Sequence, residues 1–251
     1  MSDPLLKIVG LRKHFGAVRA CHNLSLEICT GETHALIGPN GAGKTTLLNL
    51  LSGDLKPDAG QIFLDNRDIT RVPLYHRAHL GLARSYQITS IFPQLSVEEN
   101  LLLAIQAHSG HSFRFWKKAV SDPQLRRELE PALERVGLEH RARDRAAALS
   151  HGEKKQLEVG MALACNPRVL FLDEPMAGMG PGGSVELGKL IAGLKQQMTI
   201  VLVEHDVEAI FSLADRITVL VYGEIVVTGT ADEIRSSAAV REAYLGEEEP
   251  C

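Results

Sequence analysis

Residues 33–51 read Thr33-His34-Ala35-Leu36-Ile37-Gly38-Pro39-Asn40-Gly41-Ala42-Gly43-Lys44-Thr45-Thr46-Leu47-Leu48-Asn49-Leu50-Leu51: a short apolar strand, a glycine-rich turn ending in a lysine and two threonines, and a leucine-rich run. Strand, loop and helix in that order are the setting a phosphate loop requires. Glycines let backbone N–H groups converge on phosphate oxygens, and the helix that follows adds the positive end of its dipole. Gly38, Pro39, Asn40, Gly41, Ala42, Gly43, Lys44, Thr45 and Thr46 are therefore the expected nucleotide-binding residues. Lys44 supplies a full charge near the β and γ phosphates, and Thr45 a hydroxyl for Mg2+.

A second apolar run, Val169-Leu170-Phe171-Leu172, ends in Asp173 and Glu174. Open α/β sheets present ligand-binding groups at strand C-termini. Asp173 fits a water-mediated Mg2+ contact, and Glu174, just beyond it, can polarise the water that attacks a γ-phosphate. With THALI, RVLFL, TIVLV and ITVLV all short, apolar and bounded by polar or turn residues, the expectation is a parallel sheet covered on both faces. The earlier runs KIVGL, NLSLEI and QIFL alternate apolar with polar residues, and Gly10, Gly16, Gly31 and Gly60 punctuate them, which predicts antiparallel strands. Between Ser96 and Ser150 the spacing turns helical, as in Leu125, Leu129, Leu133 and Val136. From Val169 onward strands alternate with helices such as VELGKLIAGLKQQ. The predicted fold is α/β: a phosphate-loop NTPase core with a mostly parallel sheet, an antiparallel β-subdomain, and a helical subdomain inserted at about 96–160. Residues 1–246 form one domain in this reading, and 247–251 an acidic tail with nothing apolar to bury.

The chain has 251 residues and a net charge of −4. Nucleic-acid binding through phosphates needs clustered positive charge, so the overall balance gives it no support. Phe113-Arg114-Phe115-Trp116-Lys117-Lys118 does interleave aromatic and basic residues, as a surface patch or as packing within the helical insertion. Cys21, Cys29, Cys165 and Cys251 show no metal-ligand spacing and read as reduced thiols of a cytoplasmic protein. The start of the chain lacks a leader pattern, and no apolar run is long enough for a membrane helix, so membrane contact is expected to be peripheral.

Leu149-Ser150-His151-Gly152-Glu153 resembles the signature motif of ABC ATPases. Ser150 and Gly152 at a helix start can offer a hydroxyl, backbone N–H groups and a dipole to a phosphate. The Ser150 to Glu153 spacing is also that of a capping box, and both readings can hold at once. Other positions match the family one by one. Phe15 resembles the aromatic that stacks on adenine, Gln87 the glutamine that links Mg2+ to the membrane subunit, and His205 the switch histidine. His205 sits between Glu204 and Asp206, but neighbouring side chains diverge and supply no metal ligand set. Two positions depart from the family pattern: His151 stands where glycine is commoner, and Gly180 where Met176-Ala177-Gly178-Met179-Gly180-Pro181 would carry an aspartate.

The resemblance implies ATP and Mg2+ as ligands and ATP hydrolysis as the activity. It also implies a dimer with two ATP molecules sandwiched between subunits, Ser150 and Gly152 facing the nucleotide of the opposite chain. Within the family, the stretch from Gln87 to Ser150, the phrase DEPMAGMGP and the AYLG ending are similar to ATPase subunits of branched-chain amino-acid uptake systems. Urea and amide importers look alike. The implied partners are a second ATPase subunit, multi-spanning permease subunits that hold this chain peripherally at the cytoplasmic face of the inner membrane and, indirectly, a solute-binding protein. A soluble ABC ATPase acting on nucleic acid or ribosomes is the alternative of another class. Such proteins usually carry a coiled-coil insertion or a second phosphate loop, and neither pattern occurs here.

Overall fold

The computed structural model describes residues 4–85, 91–108, 123–195 and 197–240. Gln87, the segment from Phe113 to Lys118, the AYLG ending and the acidic tail lie outside the described residues.

The alternating residues at the start of the chain form a hairpin of β1 (Pro4–Phe15) and β2 (Val18–Cys29). Two later strands, β4 (Ala59–Leu64) and β5 (Arg67–Asp68), extend it into an antiparallel sheet of order β2-β1-β4-β5. Two of the glycines expected to separate strands lie inside them instead. Gly10 falls within β1 and Gly60 within β4, where the β1 register shifts between Ile8 and Leu11 against β2 and between Val9 and Arg12 against β4. A β-carbon on Gly60 would stand 2.5 Å from the Gly10 carbonyl oxygen, so glycine marks a close approach of backbones here and not a turn.

The apolar runs assemble a second sheet from β3 (Thr33–Ile37), β6 (Leu82–Ser85), β7 (Val169–Asp173), β8 (Thr199–Val203), β9 (Arg216–Val221) and β10 (Glu224–Gly229), in the order β10-β9-β3-β8-β7-β6. Neighbours from β9 to β6 run parallel, and β10 closes one edge antiparallel. Every residue of β3, β7 and β8 is buried, as strands covered on both faces must be. The polar His34 inside β3 is satisfied there: Nδ1 lies 2.7 Å from Glu32 Oε1 and Nε2 2.7 Å from Thr218 Oγ1. Val203 of β8 pairs with Leu36 of β3 on one side and Asp173 of β7 on the other, so three strands end level at one edge.

Helices cover both faces. On one, Leu47, Leu48, Leu50 and Leu51 of α1 (Lys44–Ser52) share a core with Phe171, Val201 and Val203. On the other, Leu187 and Ile191 of α6 (Pro181–Leu194) share one with Leu170, Leu172 and Leu202. The helical region contains α3 (Val97–His108), α4 (Pro123–Val136) and α5 (His151–Leu163) around its own cluster, with Leu125, Leu129, Leu133 and Val136 all buried in it as their spacing predicts. Leu157 of α5 belongs to that cluster while Val159 faces the core of the sheet, so α5 joins the two. Shorter helices among the described residues include α2 (Leu74–His79), α7 (Val207–Leu213) and α8 (Ala231–Ser236).

One buried cation fastens the end of α1. Arg77 on α2 is 1% exposed and donates to the carbonyls of Leu50, Leu51 and Ile69 at 2.7 Å each, Val72 at 2.8 Å and Thr70 at 3.2 Å. Carbonyls in the last turn of a helix have no intrahelical partner, and a guanidinium with its fork of donors satisfies several at once. Burial pulls the Arg77 pKa down to about 10, which leaves it charged near neutrality. Arg77→Met should cost at least about 3 kcal/mol, since several buried acceptors lose a charged donor together. Chemical denaturation measures this, and an unchanged midpoint would contradict the bracing role.

Candidate functional site

The loop after β3 is shaped by backbone contact before any side chain matters. At Gly38, φ is +150°, and a β-carbon would lie 2.0 Å from the Leu220 carbonyl oxygen. At Gly43, φ is +100°, and a β-carbon would lie 2.1 Å from the Ala20 carbonyl oxygen. Only glycine fits between β9 on one side and β2 on the other. Gly43 is the left-handed N-cap of α1, with no side-chain cap and no acidic residue in the first turn. The helix start is thereby left for an external anion, which its dipole favours.

Lys44 opens α1, yet its ammonium turns back into the loop. Nζ donates to the carbonyls of Gly38 at 2.6 Å and Pro39 at 3.0 Å, and the residue is 6% exposed. Burial lowers its pKa, while the charges of Glu174 and Asp173 oppose that shift. Thr45 is exposed and Thr46 half-buried on the same first turn.

Asp173 ends β7 with 1% exposure. Its Oδ2 accepts from Arg84 Nη2 at 2.9 Å, while Oδ1 is buried with no hydrogen-bond partner among the described residues. Burial raises the Asp173 pKa and Arg84 is the main counterweight. A buried carboxylate oxygen without a donor is costly unless a ligand completes it. Mg2+ is a hard cation that takes one or two carboxylates together with hydroxyl and phosphate oxygens, and the Asp173 carboxylate and the Thr45 hydroxyl are donors of that kind. Among the described residues no group of three or more His, Cys, Asp or Glu could hold a metal.

Glu174 is held in the left-handed region at φ 48°, a conformation uncommon for glutamate that survives because its N–H donates to the Val203 carbonyl at 2.8 Å. This turn carries its carboxylate toward β8, where Oε1 is hydrogen-bonded to His205 Nε2 at 2.7 Å. Glu204, 4% exposed, holds both loops from beneath: Oε1 accepts the Met176 N–H at 2.7 Å and Oε2 the His205 N–H at 3.2 Å. Burial raises the Glu204 pKa against these two bonds. Asp206 accepts from the N–H groups of Glu208 and Ala209 and so starts α7.

Lys44, Asp173, Glu174 and His205 therefore meet at the level ends of β3, β7 and β8. The rest of the loop from Gly38 to Thr46 surrounds Lys44, whereas Phe15, Ser150 and Gly152 lie on other elements and Gln87 lies outside the described residues. Phe15 is 48% exposed at the β1 to β2 turn, with Lys13 Nζ 5.6 Å from its ring centre. Ser150 N-caps α5, and both bonds of the capping box with Glu153 are present. Gly152 packs near Gly183 at the start of α6, and His151 Nε2 donates to the Ala177 carbonyl at 3.3 Å. The histidine that departs from the family pattern thus ties the signature loop to the segment after Glu174. Arg84 and Glu204 were not singled out from sequence. The available signal was a charged residue in or directly after an otherwise apolar strand.

A family model described as ABC transporter matches residues 21–177, and one described as Branched-chain amino acid ATP-binding cassette transporter matches residues 224–250. The chain is 39% identical to the high-affinity branched-chain amino acid transport ATP-binding protein LivG of Salmonella typhimurium, over 98% of this chain and 100% of that one. It is 36% identical to the corresponding protein BraF of Pseudomonas aeruginosa, with 98% and 100% covered. A nucleotide-free ATP-binding cassette from an ABC transporter superimposes with a TM-score of 0.86 at 30% identity, covering 97% of this chain and 100% of the other. An ATP-binding cassette of an ABC transporter in its ADP conformation gives 0.86 at 29% identity, covering 98% and 100%.

Glu204→Ala leaves two backbone N–H groups without acceptors and should cost about 2 kcal/mol in stability. It should also slow ATP hydrolysis with nucleotide affinity unchanged, because Lys44 and its loop are untouched. Denaturation, nucleotide titration and turnover check this together, and undiminished turnover would show that the two loops need no common tie.

Proposed function

This chain belongs to the ABC transporter family of ATPases, and we propose that it is the motor subunit of an importer for branched-chain or related amino acids. The observation that carries the mechanism is the convergence of Lys44, Asp173, Glu174 and His205 at the ends of adjacent parallel strands. The match of residues 224–250 to the branched-chain amino acid cassette, together with LivG and BraF as relatives, supports the solute class.

In this reading residues 38–46 cradle the phosphates of ATP, and Lys44 exchanges the Gly38 and Pro39 carbonyls for β and γ phosphate oxygens. Thr45, Asp173 and Gln87 would hold Mg2+, which when bound neutralises charge on the transferred phosphoryl group. Glu174 orients and deprotonates the attacking water. His205 holds the Glu174 carboxylate in the structure and contacts the γ-phosphate once nucleotide is bound. Phe15, exposed at its turn, stacks on adenine. Ser150 and Gly152 serve the nucleotide of a second ATPase chain through the N-terminus of α5, so two sites form at a dimer interface. Residues 1–246 act as one ATPase domain.

Closure of such a dimer must be passed to membrane subunits. A groove of about 310 Å3 between α2 and β6 on one side and α3 and α5 on the other is lined by Leu74, Ala78, Leu82, Ala104, Met161 and Cys165. Its apolar walls suit a short segment of a permease subunit. No described helix is long and apolar enough to cross a membrane, and docking in this groove would hold the chain at the cytoplasmic face of the inner membrane. A solute-binding protein would reach it only through the permease, and nucleic acid has no place in the cycle.

Glu174→Gln should bind ATP as tightly as the unsubstituted chain, hydrolyse it about 10²- to 10⁴-fold more slowly, and accumulate as a dimer. Size-exclusion chromatography with ATP and a phosphate-release assay read both effects. Normal turnover would end the general-base assignment.

A further inference from the structure

We propose that Arg84 is a positioning residue for the metal site, holding one oxygen of Asp173 so that the other is presented to Mg2+. The inference rests on the reading of Asp173 as a metal-binding carboxylate and concerns how this chain prepares it.

Arg84 lies on β6, next to β7, with its side chain 5% exposed. One arm of the guanidinium, Nη2, donates to Asp173 Oδ2 at 2.9 Å. The other, Nη1, lies 2.5 Å from Asn49 Oδ1, 3.1 Å from Ser52 Oγ and 3.0 Å from Asp54 Oδ2. Ser52 Oγ donates in turn to Asp54 Oδ2 at 2.8 Å, which fixes the acceptors that hold Arg84. The anchors thus sit at the far end of α1, the helix whose first residues are Lys44 and Thr45. A single planar group connects the end of the phosphate-binding helix to the carboxylate at the end of β7.

Charge compensation alone would not need this geometry. A buried carboxylate is neutralised by any nearby cation, and Lys44 also contributes to its field. What the fork adds is direction. With Oδ2 taken by Nη2 and the guanidinium plane fixed from its other side, the Asp173 carboxylate cannot rotate without losing a charge-assisted bond. The oxygen it leaves over, Oδ1, is the buried one without a donor. Losing a group that orients a metal ligand in this way typically costs about 10- to 100-fold in metal affinity. A lysine keeps the charge but has no planar fork and cannot engage both sides at once.

The test uses the full chain carrying Glu174→Gln, so that binding is read without turnover. A fluorescent ATP analogue is titrated at rising Mg2+ with Arg84 intact, with Arg84→Lys and with Asn49→Ala, which removes one anchor while keeping every charge. Arg84→Lys should raise the Mg2+ concentration for half-maximal binding about 10-fold or more. Asn49→Ala should raise it in the same direction by less, and keeps the test available if Arg84→Lys fails to fold. Binding in the presence of a chelator should be unchanged for both. A Mg2+ midpoint that stays put in a folded Arg84→Lys chain, or a loss equal with and without metal, would overturn the role of Arg84. No Mg2+ dependence with Arg84 intact would instead remove the metal reading of Asp173, and this inference with it.

Discussion

The backbone of residues 38–43 is clamped between carbonyls of β9 and β2, and the rest of the site depends on that constraint. Leu220 and Ala20 come so close to Gly38 and Gly43 that no side chain fits at either place. The antiparallel sheet is therefore not an appendage to the nucleotide site, because one of its strands forms a wall of the loop. Once the loop is fixed, the start of α1 and the ammonium of Lys44 are fixed with it, and the parallel order of β3, β8 and β7 brings Asp173, Glu174 and His205 to the same edge.

Around this edge a small set of polar bonds joins segments far apart in sequence. Glu204 receives N–H groups from both the Glu174 loop and the His205 loop, Glu174 meets His205 directly, and His151 reaches from the signature loop to Ala177. Arg84 ties α1 to β7. Glu204 thus connects the His205 loop to the segment that begins at Met176.

Much of this was legible in the residue order. Strands buried on both faces are apolar along most of their length, so THALI, RVLFL and TIVLV declared themselves, as did the phosphate loop between the first of them and its helix. Helical spacing marked the buried face of α4 from Leu125 to Val136. Less legible was anything whose partner comes from elsewhere in the chain. Gly10 and Gly60 looked like strand ends because their meaning lies in each other's backbone. Arg84 carried no local signal, since nothing in its neighbourhood says that Asn49, Asp54 and Asp173 converge on it. Glu204 was overshadowed by His205 for the same reason: its acceptor role depends on an N–H from position 176. Ser150 admitted both a capping and a phosphate-binding reading, and the capping box is formed in the structure while the second reading awaits a second chain.

The proposed role of this ATPase is to drive permease subunits at a membrane. Affinity isolation of the tagged chain from its native membrane, with mass spectrometry of the co-purifying proteins and an ATPase assay of the complex, tests it most directly. The expected result is recovery of multi-spanning membrane proteins together with a second ATPase chain, whether another copy or a related one, in an ATP-hydrolysing assembly. Recovery of ribosomal or DNA-associated proteins in their place would contradict the transport role while leaving the nucleotide site as described.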